Sequence, residues 1–318
     1  MASYDAVVIG GGPAGLSAAT WLGRYRRRTL VVDSGEHRNR WVEQSHGYLT
    51  RDPASPAELL RVAREQLAEY PWVTYREGTV DAVQRVGDEF VVEVGGMPYS
   101  CLRVVLATGV VDAFPAVEGF FEHYGASVFH CPSCDGYEAR DRNVVVLGWT
   151  AHVAGFAVTL LDWAATVTIV TDGRHFPGDE ADLETLASYG VRVIEDVAES
   201  FVGSRGSLTG IALRKCGLVP CELAFFTVAH EPRNELASML GVDTTGEGCV
   251  QVSEDGETNV PGVYACGDLT PGMQLIQVAA AKGTIAGINA AQSLRGTPGA
   301  ATSPEPAPDP EVVAVEQS

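Results

Sequence analysis

Tyr4-Asp5-Ala6-Val7-Val8-Ile9-Gly10-Gly11-Gly12-Pro13-Ala14-Gly15 decides the fold of this chain. Its first half is a short apolar, β-branched run of the kind buried in a parallel sheet. The run breaks into a glycine turn, and Ala14 to Leu22 then reads as a helix. Thr29 to Val32 reads as a second strand ending in Asp33. A strand before, a helix after and an acid at the end of the next strand turn a weak G-x-G-x-x-G match into a specific dinucleotide fingerprint. Gly10 permits the tight turn, Gly12 lets the backbone approach a pyrophosphate, and Gly15 lets the helix pack closely on the strand. Pro13 and Ala14 open the helix, whose N-terminal N–H groups face the phosphates. Asp33 is placed to accept hydrogen bonds from ribose hydroxyls.

A second short word, Cys131-Pro132-Ser133-Cys134-Asp135-Gly136, carries redox chemistry. A Cys-x-x-Cys at a helix start favours thiolate, and thiolate is the nucleophile in disulfide exchange. The second thiol resolves the mixed disulfide, and Asp135 supplies a carboxyl where a leaving thiolate needs a proton. A zinc half-site would need a second, matching pair, and none exists. Cys101, Cys216, Cys221, Cys249 and Cys266 have no metal-site spacing and are expected to be buried spectator thiols. His130, directly before Cys131, is open to two readings: a base beside the thiolate, or a packed imidazole.

The chain has 318 residues, room for two domains, with 46% hydrophobic and 20% charged residues, a globular composition. A net charge of −19 argues against nucleic acid or an anionic membrane as partner. Met1 to Asp5 carries no basic n-region of a signal peptide, and the cysteine usage suits a reducing cytoplasm. The longest stretch free of charged residues, Asn143 to Leu161, is explained better by strand, turn and helix than by a membrane span. That stretch, with Thr166 to Thr171 as a second strand ending in Asp172, repeats the opening βαβ pattern. The fold expected is therefore α/β, with two Rossmann-like domains. One, discontinuous, covers about 1–115 and 243–296. The other is inserted at 116–242 and carries the cysteine pair. The Pro- and Ala-rich segment 297–318 reads as a disordered tail.

Together these residues resemble the low-molecular-weight thioredoxin reductase family of flavoproteins. The resemblance runs from Tyr4 to Leu294 and rests on the glycine fingerprint, Ala107-Thr108-Gly109, the Cys-x-x-Cys-Asp-Gly word and Gly267-Asp268. It implies FAD at the first fingerprint, with Asp268 on its ribityl–pyrophosphate portion and Gln277 where the family has a flavin-contacting glutamine. It further implies Cys134 nearest the flavin, Cys131 as the interchange thiol, and a homodimer. The substrate class it implies is a disulfide or dithiol, on a thioredoxin-like protein or a small thiol. His46 lies in a loop that would border the flavin and is expected to be structural.

The chain departs from the family at its second nucleotide site. Gly148-Trp149-Thr150-Ala151-His152-Val153 keeps only the first glycine, and the strand end reads Thr171-Asp172-Gly173 where the family has a His and two Arg. A carboxylate at Asp172 repels a 2′-phosphate, and Arg174 is a single displaced cation. NADPH is therefore disfavoured as donor. Asp172 suits a 2′-hydroxyl, which leaves NADH or a second FAD as occupants at Gly148/Asp172. A site taking no nucleotide, with electrons from another reductant, is the second reading. The third reverses the flow, as an oxygen-using dithiol oxidase; Asp135, kept as in the reductases, argues for reduction. A flavin-binding redox sensor is the non-enzymatic alternative.

Overall fold

β1 (Ala2–Ile9) ends in the apolar run Ala6-Val7-Val8-Ile9, which suits a strand covered on both faces, and its neighbours supply that cover. The computed structural model describes residues 2–297. β1 leads through the glycine turn into α1 (Pro13–Arg24), and β2 (Thr29–Asp33), α2 (Pro56–Ala68) and β3 (Val73–Glu77) follow. An antiparallel meander of β4 (Val80–Val86), β5 (Glu89–Val94) and β6 (Met97–Leu106) completes the first half. The strand order is β3-β2-β1-β6-β5-β4, parallel from β3 to β6.

The chain leaves through β7 (Val110–Ala113) and enters a second βαβ arrangement. This holds α3 (Phe120–His123), β8 (Val128–Phe129), α4 (Pro132–Asp135), β9 (Asn143–Gly148), α5 (Val153–Leu160), β10 (Thr166–Val170), α6 (Glu180–Ser188) and β11 (Arg192–Ile194). A three-stranded antiparallel sheet, β12 (Ala198–Ser204), β13 (Ser207–Leu213) and β14 (Gly217–Pro220), precedes β15 (Leu223–Thr227). The parallel sheet here has the order β11-β10-β9-β15-β8. The chain returns through β16 (Ala229–Pro232), which pairs with β7, to α7 (Glu235–Met239), β17 (Val263–Ala265) and α8 (Ile276–Ser293). β17 joins the first sheet parallel to β6. The α/β architecture with two parallel, Rossmann-type sheets is thus as expected.

Two compact units result, one comprising the chain up to Arg40, Ala57–Val111 and Glu231 onward, the other Trp41–Pro56 and Asp112–His230. The boundaries differ from those expected at 115/116 and 242/243. α7 returns early because Ala237 and Val242 complete the apolar core of the first sheet beside Val80, Val104 and Val263. Residues 41–56 depart from sequence order because local contacts hold them to the second unit. Arg205 Nε donates to Glu43 Oε1 at 2.7 Å, and a Cβ on Gly125 would meet the Trp41 carbonyl at 2.0 Å. The expected tail lies, from residue 298, outside the described residues. Among the described residues no helix is long and apolar enough to cross a membrane.

α1 and α8 touch backbone to backbone. A Cβ on Gly283 would fall 2.0 Å from the Ala14 carbonyl oxygen, and one on Gly287 2.5 Å from that of Ala18. Ser17 and Thr284 join their hydroxyls at 2.8 Å, and Trp21 Nε1 donates to Thr284 Oγ1 at 3.2 Å. Gly283→Ala should therefore lower stability by about 1–3 kcal/mol in chemical unfolding, because backbone cannot yield as a side chain does. Gly155→Ala, in an exposed turn of α5 with nothing within 4 Å, should instead gain about 0.5–1 kcal/mol.

Candidate functional site

The glycine turn is built by exclusion. Gly10 sits at φ +107°, and a Cβ there would meet the Ala107 carbonyl oxygen at 2.3 Å. A Cβ on Gly15 would lie 1.8 Å from the Gly10 carbonyl oxygen, so α1 rests directly on the end of β1. Gly12 is the contrast: nothing lies within 4 Å of its Cβ position. It is the N-cap of α1, with no side chain capping the helix and Pro13 as its first residue. Uncapped N–H groups beside an open backbone face are what an anionic pyrophosphate requires.

Asp33, at the end of β2, is buried and oriented from both sides. Its Oδ1 accepts from Gly11 N at 3.0 Å, and its Oδ2 from Tyr75 Oη at 2.7 Å and Arg64 Nη2 at 3.1 Å. Gly267 closes on the start of α1, its Cβ position 2.8 Å from that of Ala14. The adjacent Asp268 accepts from Arg38 Nη1 at 2.9 Å, and the same nitrogen donates to Gln274 Oε1 at 2.7 Å. Thr108 and Gly109 fasten the returning chain. Thr108 Oγ1 donates to the Arg233 carbonyl at 2.7 Å, and the Gly109 carbonyl accepts from Arg233 N at 3.0 Å. Gln277 lies exposed on the first turn of α8. Gly10, Gly12, Pro13, Ala14, Gly15, Gly267 and Asp268 are thus brought together, with Asp33 joined through Gly11. Arg38, Arg64, Tyr75 and Gln274 were missed, since no fixed spacing links them to the carboxylates they hold.

In the second unit Cys131 and Cys134 form a disulfide with Cα atoms 5.2 Å apart. The helix expected to favour thiolate is a single turn, α4, too short for a sizeable macrodipole. A direct contact takes its place: Cys134 N donates to Cys131 Sγ at 3.2 Å. Gly136 is small for packing, because a Cβ there would meet the Trp163 ring at 2.5 Å. Asp135, between Cys134 and Gly136, is 5% exposed. Burial, helped by the neighbouring Glu138 charge, pushes its pKa up to about 7. Nδ1 of His130 lies 3.2 Å from the hydroxyl of buried Tyr124, and its ring stands 6.0 Å from that of Phe226, which favours the packed reading. Of the five other cysteines four are buried, and burial pushes Cys221 and Cys266 up to about 12. Cys216 is exposed, contrary to expectation, because it sits in the turn between β13 and β14.

At the second βαβ turn α5 begins only at Val153, and Gly148 is hemmed in, its Cβ position 2.7 Å from Thr227 Cγ2. The Arg174 guanidinium stacks 3.9 Å over the Trp149 ring and bonds Asp172 Oδ2 at 2.8 Å. Asp172 Oδ1 accepts from Ala198 N at 3.1 Å. Asp172, Arg174 and Trp149 therefore satisfy one another.

The raised pKa of Asp135 links stability to pH. The unfolded chain releases this proton near pH 4, whereas the folded protein holds it to about 7, so stability falls as pH rises through that window. Asp135→Asn lacks this loss. Its stability relative to the native chain should rise between pH 4 and pH 7 by an amount on the order of a few kcal/mol and then level off, as read in chemical unfolding of the disulfide-bonded protein.

Residues 4–283 match the family model for pyridine nucleotide-disulphide oxidoreductases. The thioredoxin reductase tcpT of Claviceps purpurea is 30% identical over 304 residues, covering 91% of this chain and 94% of that protein. An oxidoreductase from Agrobacterium tumefaciens, solved by crystallography, is 32% identical with a TM-score of 0.83 over 92% of this chain and 99% of that one. The crystal structure of a putative thioredoxin reductase from Bacillus anthracis is 28% identical with a TM-score of 0.86, covering 92% and 98%. With the glycine turn and two Rossmann-type sheets in place, the chain belongs to the pyridine nucleotide-disulphide oxidoreductase family, as a thioredoxin reductase-like FAD enzyme.

Proposed function

We propose that this enzyme reduces a disulfide substrate through Cys131 and Cys134, using a reductant other than NADPH. The observation that carries the reading is the joined cysteine pair followed directly by a buried carboxyl, Asp135. FAD fits the first cradle, where Gly12 leaves room for a pyrophosphate and α1 is uncapped. Asp33 and Asp268 are the carboxylates for its ribose and ribityl hydroxyls, with Thr108, Gly109 and Gln277 as further contacts implied by the resemblance. Bound there, FAD supplies a two-electron carrier matched to a dithiol/disulfide couple.

Two electrons and two protons convert the Cys131–Cys134 disulfide to a dithiol. The Cys131 thiolate then attacks the substrate disulfide, forming a mixed disulfide, and one substrate sulfur leaves. Cys134 attacks the Cys131 sulfur, restores the pair and releases the second substrate sulfur. Asp135, which holds a proton up to about pH 7, protonates the departing thiolate. The family resemblance supports a thioredoxin-like protein or a small thiol as substrate, a homodimer, and a reducing compartment such as the cytoplasm.

The second unit does not fit NADPH. Arg174, the cation beside the strand end, is held by Asp172 and Trp149, and Asp172 repels a 2′-phosphate. The turn before α5 keeps only Gly148, itself hemmed in by Thr227, and the helix begins only at Val153, which favours a site taking no nucleotide over NADH or a second FAD.

Gly12→Val should fold as the native chain does, because nothing lies within 4 Å of its Cβ position, yet bind flavin at least about tenfold more weakly. Flavin content per folded chain measures this, and unchanged content overturns the placement of FAD. In an anaerobic titration neither NADPH nor NADH should bleach the flavin, whereas a dithiol should, and Cys134→Ser should abolish exchange with a disulfide while keeping flavin. Prompt bleaching by NADPH overturns the reading of the donor. Hydrogen peroxide formed in step with dithiol consumption in air identifies flow in the opposite direction.

A further inference from the structure

Two carboxylates flank the start of α1 in the first unit, and each is held by an arginine. On one side Asp33 accepts from Arg64, Tyr75 and the Gly11 N–H. On the other, Asp268 accepts from Arg38 Nη1 at 2.9 Å, across 230 positions of sequence, and both side chains are 19% exposed. The same nitrogen donates to Gln274 Oε1 at 2.7 Å, so Arg38 ties the loop after β2 to the chain that leads into α8.

The backbone under Asp268 is fixed independently of Arg38. Gly267 stands at φ +77° and opens the 3₁₀ turn Gly267–Leu269, its Cβ position 2.8 Å from that of Ala14. Thr270 returns its N–H and its hydroxyl to the Gly267 carbonyl, at 3.1 and 2.9 Å. From α8, Lys282 Nζ donates to the carbonyls of Gly267, Thr270 and Pro271 at 3.4, 3.3 and 2.8 Å. Lys282 is set in place by its neighbour Gly283, which lies against the Ala14 carbonyl. With the turn held in this way, the rotation of the Asp268 side chain remains to be set, and Arg38 is the group bonded to it. A guanidinium is charged at any working pH and is a strong, directional partner for a carboxylate. A carboxylate pinned at one oxygen presents the other at a defined place, as recognition of a hydroxyl requires.

We propose that Arg38 is a positioning residue of the flavin cradle: it holds Asp268 for the ribityl end of FAD, and so favours the flavin half of the cofactor over the adenosine half. The glycine turn at Gly12 differs in kind, because it is placed for the pyrophosphate, which FAD shares with ADP. The proposal rests on the reading that FAD occupies this cradle.

Calorimetric titration of the full chain, freed of flavin, with FAD and with ADP tests it. Arg38→Met keeps the reach of the side chain and removes its charge. It should weaken FAD about tenfold and ADP less than about threefold, so that the preference for FAD falls. Gly12→Val should weaken both ligands. A general loss of structure lowers the two affinities together and leaves their ratio unchanged. In an Asp268→Ala background Arg38→Met should add less than about twofold, because its action runs through that carboxylate. Arg38→Gln replaces Arg38→Met if the latter does not fold. An unchanged ratio of FAD to ADP affinity, or the full tenfold loss in the Asp268→Ala background, overturns the role of Arg38 while leaving FAD in the cradle. Undiminished FAD affinity in Gly12→Val overturns the placement of FAD instead.

Discussion

The contact on which the first unit depends is between backbone atoms: the Cα of Gly15 lies against the carbonyl of Gly10, so close that a Cβ would sit 1.8 Å from the oxygen. That approach aims the start of α1 back along β1 and leaves its first N–H groups without a side-chain cap. α8 repeats the device from the other side, with Gly283 against the Ala14 carbonyl and Gly287 against that of Ala18. Close backbone approach adds dispersion contacts without the entropy of ordering long side chains. It also makes the cradle rigid, as binding a pyrophosphate through fixed N–H groups demands. Gly12 alone in this turn faces open space, so packing does not account for its missing side chain.

The second unit reuses the topology and changes the chemistry. Its parallel strands β9 and β10 pair as β1 and β2 do, yet the turn between β9 and α5 carries Thr150 and Val153 in place of the second and third glycines of the fingerprint. An indole under a guanidinium is a favourable contact, and Asp172 completes it from the other side. The cysteine pair of this unit lies at α4. Burial rather than helix length governs that site: a four-residue helix contributes little field, whereas desolvation of Asp135 holds a proton beside the cysteine pair.

Sequence alone was sufficient wherever the constraint was local. The glycine turn, the strand before it and the acid after it are requirements on neighbouring backbone, and short-range spacing carries them. Cys131, Cys134 and Asp135 are legible for the same reason, since two thiols three positions apart close without help from the rest of the fold. The α/β repeat was legible because buried parallel strands must be apolar throughout. Tertiary structure decided what surrounds these words. Arg38 meets Asp268 and Gln274, and Arg64 and Tyr75 meet Asp33, across separations no motif encodes. Residues 41–56 follow β2 in the chain but pack with the second unit, which carries His46 to Glu138. The physical reason is range: backbone geometry is set by residues a few positions apart, whereas the charge and solvation of a carboxyl depend on whatever the fold places beside it.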